Sequence, residues 1–159
     1  MTSLDGGARL AMRRVLADGV RAGLAGAVVG GVPSTFHALL TGRDLREATV
    51  AAGSIVLPRE HREPRLLVLG AGVHVVVSVA WGVTFAAVLP RRRTVRAGAV
   101  AGLTVAAVDL GLVGRHLDRI AALPLLPQLF DHVVFGTTVG AALRVQRRSG
   151  AGAEDATRQ

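Results

Sequence analysis

A chain of 159 residues with half of them hydrophobic, only 3% aromatic and a formal charge of +8 has the length of one domain. All 19 of its basic residues are arginine, and they flank apolar runs instead of alternating with aromatics, so the charge reads as membrane topology and no nucleic-acid partner is expected. Cysteine is absent, which excludes disulfides, thiolate metal sites and cysteine nucleophiles.

A helix needs about 20 apolar residues to cross the hydrocarbon core of a bilayer. Residues 8–20 read as an amphipathic lead-in bearing Arg9, Arg13 and Arg14, and residues 22–40 then form the first predicted span. Pro33 is expected to kink it, with Ser34 bonding a released carbonyl. In the loop that follows, Asp44 and Glu47 have capping-box spacing ahead of Leu45, Ala48, Ala52, Ile55 and Val56. That pattern predicts a short interfacial helix at the external surface, ended by Pro58. Residues 66–89 form the second span and residues 97–113 the third, in which Asp109 is the only charge. Asp118 begins a shorter counterpart of the loop helix before Pro124, and residues 125–143 form the fourth span. Residues 1–148 thus make one transmembrane domain, and residues 149–159 read as a disordered cytoplasmic tail.

The second pair of spans reads as a copy of the first. Val20-Arg21-Ala22-Gly23 opens the first span and Val95-Arg96-Ala97-Gly98 the third. His74-Val75-Val76 with Gly82 matches His132-Val133-Val134 with Gly140 at equal spacing. The expected fold is therefore all-α: an integral membrane four-helix bundle of two tandem transmembrane hairpins, a parallel repeat. Twelve arginines crowd the N-terminal side, the Arg91–Arg92–Arg93 loop, which holds no acid, and the C-terminal end, while the other two loops hold seven arginines accompanied by Asp44, Glu47, Glu60, Glu63 and Asp118. Both termini are accordingly expected in the cytoplasm of a multi-pass protein.

Lipid tails are as apolar as leucine, so helices associate in a bilayer by close packing of small residues. The expected packing stripes are Gly26 and Gly30; Gly70, Ser78 and Gly82; Gly98 and Gly102; Gly136 and Gly140. On or beside them lie His37, His74, Asp109 and His132, with Asp131 next to the last. Ionisable groups are costly in lipid and by default mark an ion or proton path or a bound ligand. This layer points to proton or ion handling, or to sensing of external pH, through those five residues. Three imidazoles and a carboxylate from His37, His74, Asp109 and His132 also leave open a metal ion, though no cofactor is expected. The alternative is a structural or accessory subunit of a membrane complex, the polar layer serving helix packing only. No G-x-S-x-G, H-E-x-x-H or phosphate-loop pattern occurs, and the sequence leans against an enzyme. Beyond the lipid bilayer, the expected partner is a second copy or a membrane-complex subunit.

The run Val32-Pro33-Ser34-Thr35-Phe36-His37-Ala38-Leu39-Leu40-Thr41-Gly42-Arg43-Asp44, with Glu47-Ala48 and Ala51-Ala52-Gly53, resembles small four-helix integral membrane proteins of actinobacteria, a family without a characterised function. So does Ala122-Leu123-Pro124-Leu125-Leu126-Pro127-Gln128 followed by Asp131-His132-Val133-Val134-Phe135-Gly136. The resemblance covers most of residues 20–145 and implies four helices in a bacterial inner membrane, with no activity attached.

Overall fold

Glycine and proline punctuate an otherwise continuous helical chain. The computed structural model describes the backbone of residues 2–156 and the side chains of residues 6–150. Seven α-helices occur among them: α1 (Thr2–Gly30), α2 (Val32–Thr41), α3 (Glu47–Gly53), α4 (Glu63–Val88), α5 (Thr94–Val108), α6 (Asp118–Ala121) and α7 (Leu125–Ala156). A π-helical turn, Asp109–Val113, and a 3₁₀ turn, Gly114–His116, continue α5. No strand is present among the described residues. Three segments are long and apolar enough to cross a membrane: Gly6–Thr41, Glu63–Val88 and Thr94–His116. α7 is not among them, since Gln128, Asp131 and His132 make its first turns polar.

Glycines decide which helices touch. A Cβ on Gly19 would meet Val83, one on Gly23 would meet Ser78 and Val79, and one on Gly82 would collide with Gly19 and Gly23. The α1–α4 seam thus runs antiparallel through Gly19, Gly23, Ser78 and Gly82. Gly98, Gly102, Gly136 and Gly140 stack backbone on backbone in the same antiparallel sense between α5 and α7. Gly26 and Gly30 serve a different contact from the α1–α4 seam, because they lie under the Phe135 ring and join α1 to α7. Gly70 packs not on a long helix but on α3, against Thr49 and Gly53. Ala22, Phe85, Ala86, Leu89, Val105, Phe135, Val139 and Leu143 make the buried apolar core, in which the Phe85 ring lies 6.1 Å from those of Trp81 and Phe135.

Three local expectations change. Asp44 does not cap α3: its carboxylate accepts from the Arg46 N–H (2.9 Å) and pairs with the Arg46 guanidinium (3.0 Å), while Glu47 pairs with Arg43 (2.7 Å). α3 is also less superficial than an interfacial helix, since Ala51 and Ser54 are 1% and 4% exposed. Finally, the segment read as a disordered tail is helical as far as Ala156, because α7 supplies a formed helix on which further turns propagate without a new nucleus; residues 157–159 lie outside the described residues. At the same end, Arg147 of α7 donates to the carbonyls of Ala86 (3.0 Å) and Leu89 (3.2 Å), closing the C-terminus of α4.

Candidate functional site: a polar cavity around a broken helix

Pro33 has no N–H, and its ring cannot coexist with a regular helical carbonyl four residues back. The helix that begins as α1 therefore stops at Gly30 and restarts at Val32 as α2. A break leaves carbonyls unpaired on one side and N–H groups unpaired on the other. Two other helices supply the missing partners. From α7, the Asp131 carboxylate accepts the Ser34 N–H (2.9 Å) and, through its second oxygen, the Ser34 hydroxyl. Asp131 thus does for α2 what an N-cap side chain does, but from a separate helix, with its carboxyl group at the positive end of the helix dipole. From α4, His74 Nε2 lies 2.9 Å from the Ala27 carbonyl in the last turn of α1. A carbonyl only accepts, so that nitrogen carries the hydrogen. Ser34 is consequently a partner of Asp131 and not of a released backbone carbonyl.

His132 faces Asp131's neighbourhood from the next position of α7. Its Nδ1 lies 2.7 Å from the Gln128 carbonyl, which again requires a hydrogen on that nitrogen. A neutral imidazole then has a bare lone pair on Nε2, and Nε2 lies 3.4 Å from the Asp109 carboxylate. Two acceptors that close, partly shielded from water, repel unless a proton resides on one of them. Imidazolium with carboxylate, or imidazole with carboxylic acid, satisfies the geometry, and the fully deprotonated pair does not. Asp109 owes its position to the π-helical turn it opens, a wider winding that recurs at functional sites.

A cavity of about 380 Å³ gathers these groups: His74, Asp109, Asp131 and His132 line it, with Ser34 and Gln128. Its apolar wall includes Trp81, Val105, Ile120 and Phe135. No arginine among the described residues lines it. An adjoining cavity of about 370 Å³ shares Ser34, His74, Gln128 and Asp131 and is where His37 sits, nearer Arg43, Asp44 and Glu47 of the loop. The structure therefore brings four of the five ionisable candidates together and places His37 one compartment away. Among the described residues no three histidine or acidic side chains converge in a metal-binding group.

Comparison with protein-family models, with curated proteins and with solved structures found no match. The site is thus read from its own chemistry. Ser34, Gln128 and the Ala27 carbonyl are parts that sequence reasoning missed as partners. The signal for Ser34 was present, because a serine just after a helix-breaking proline owns an unpaired N–H that an acid can take.

In the loop above the cavity, hydrogen bonds from Arg46 hold the Asp44 carboxyl below the usual carboxylate range. Glu60 is lowered as well, chiefly by the Arg62 N–H and then by the Arg65 guanidinium. Arg46 also reaches Glu63 at 3.3 Å, tying the loop to the start of α4.

Proposed function

We propose that this is an integral membrane protein of four spanning helices that binds and releases a proton at the His132–Asp109 pair, as a proton- or ion-handling element or a sensor of external pH. α1 with α2, α4, α5 with its π turn, and α7 would be the spans, arranged as two tandem hairpins in a bacterial inner membrane with both termini in the cytoplasm. The observation that carries the proton reading is the placement of His132 between a carbonyl that fixes its tautomer and a carboxylate that requires one more proton.

Supporting the bilayer is the outward face of the helices. Val28, Val68, Val76 and Leu126 are 80%, 75%, 68% and 68% exposed, an apolar exterior suited to lipid. Favouring the tandem origin, Gly23 meets Gly82 and Gly98 meets Gly140, the positions that the two sequence copies make equivalent. Asp109 and His132 exchanging a proton would change how α5 and α7 pack, which is a route from protonation to conformation.

A specific observation favours a second reading for part of the layer. His74 and Asp131 each complete a broken helix, so these two earn their place by packing alone. The accessory-subunit reading extends that role to the whole layer. Titrating ¹⁵N-histidine protein in detergent separates the two. The proton reading requires the His132 ring to titrate in the accessible range, and to change its behaviour in Asp109→Asn. A ring that stays in one protonation state between about pH 5 and pH 9 would leave only the packing role.

A further inference from the structure

The cavity has a chemistry beyond a proton site. It holds two carboxylates, Asp109 and Asp131, no arginine among the described residues, and a wall of Trp81, Phe135, Val105 and Ile120. Its volume of about 380 Å³ falls in the range of small-molecule sites, which run from about 300 to 1,000 Å³. A lining that combines acid with aromatic and aliphatic carbon is the complement of a cation with an apolar body. The indole of Trp81 is the ring type that best attracts such a charge. Asp131 already accepts two hydrogen bonds from Ser34, which occupies lone pairs that a metal ion would need.

We propose that this cavity is a binding site for a small organic monocation, such as a quaternary or protonated amine carrying an apolar group, taken up in exchange for the proton of the His132–Asp109 pair. The inference rests on the proton reading above and names what competes with that proton. The exchange balances in charge. The His132 imidazolium gives its Nε2 proton to water, keeps Nδ1–H on the Gln128 carbonyl, and leaves the Asp109 carboxylate to the incoming cation. The titratable groups facing that pair are Asp131, its neighbour on α7, and His74 from α4. Asp131 is committed to the Ser34 N–H and hydroxyl, and His74 is committed to the Ala27 carbonyl. α3 and α6 contribute Ala48, Ala52 and Ile120, none of which titrates.

The test is calorimetric titration of the full chain in mild detergent with benzyltrimethylammonium, with benzoate as the anionic counterpart. If one proton leaves for each cation bound, affinity rises about tenfold per pH unit until the pair is deprotonated, then levels off. Asp109→Asn removes that pH dependence and weakens binding, while Trp81→Leu weakens binding a few-fold and keeps the dependence. Each variant is first checked for helical content and a single elution peak, and Trp81→Leu, which removes none of the hydrogen bonds at the break, covers the case in which Asp109→Asn does not fold. Absence of cation binding at every pH, binding without pH dependence, or tighter binding of benzoate overturns the proposal. A His132 ring that still titrates in those samples shows that only the ligand assignment has failed; a ring that does not titrate shows that the proton reading has failed with it.

Discussion

Ser34 is a small residue with a large set of duties. Its N–H and hydroxyl both go to Asp131, and without them a carboxylate at a helix break lacks donors. Hydrogen bonds to charged groups contribute about 1.5–3 kcal/mol, so Ser34→Ala, which keeps the N–H bond, is expected to lower stability by about 1–3 kcal/mol. Thermal unfolding in detergent, followed by circular dichroism, measures it; an unchanged midpoint would mean that water replaces the hydroxyl. Gly136 presents a different case. A Cβ there would strike the Gly98 carbonyl and come within 3.0 Å of the Gly102 Cα. Both neighbours are backbone and neither can rotate away, so Gly136→Val should part α5 from α7. The expected result is loss of a monodisperse peak on size exclusion, because overpacking with no side chain to yield exceeds the usual cost of about 1–3 kcal/mol.

At the scale of elements, the loop helix α3 behaves as part of the packing. Gly53 lies on the Leu66 backbone and Gly70 on Thr49, so α3 is clamped against α4 one turn from His74. Gly70→Leu should expel α3 and raise amide exchange across residues 47–57 while α5 and α7 keep their protection. The loop also has an acid sensitivity whose sign follows from its carboxylates. Asp44 and Glu60 have folded values lowered by their donors, so their contribution is complete above the ordinary unfolded values and is lost as pH falls through the lower folded ones. The protection factors of the 44–62 segment, corrected for the intrinsic pH dependence of amide exchange, should therefore fall on acidification through the carboxylate range and hold steady above it. Much of this was readable from the chain. Pro33 marked the break, and the small-residue stripes marked the seams. What periodicity could not give was which seam each glycine serves: Gly70 shares a stripe with Ser78 and Gly82, yet its neighbour is a loop helix while theirs is α1. The same holds for the polar layer. His74, Asp109, Asp131 and His132 were legible as costly residues near packing faces, whereas their pairing depends on a π turn that no local preference announces.

For the whole molecule, the antiparallel seams put the start of α1 and the end of α7 on one side and the α3 and α6 loops on the other. The chain has no cysteine, so single introduced cysteines report sidedness without background. In intact cells, Arg59→Cys should react with an impermeant maleimide, and Ser149→Cys should react only after lysis. Labelling of both, or of neither, before lysis would contradict the four-span arrangement. The long apolar helices were legible for a simple reason: runs free of acids and arginines that match a bilayer's width are read directly from residue order. The interior was less so, because a lone aspartate in an apolar run can pair, titrate or cap, and only three-dimensional neighbours choose among them.

The bond between Ser34 and Asp131 joins residues 97 positions apart. A ribosome delivers the first of these long before the second. When α1 and α2 emerge, their break has neither His74 nor Asp131 to close it, and the half-helix must wait, open to lipid or to insertion machinery, until α7 arrives. The last long helix to be made is thus the one that completes the first. A chain stopped after α5 would leave the Ser34 N–H and hydroxyl without the Asp131 carboxylate that accepts them.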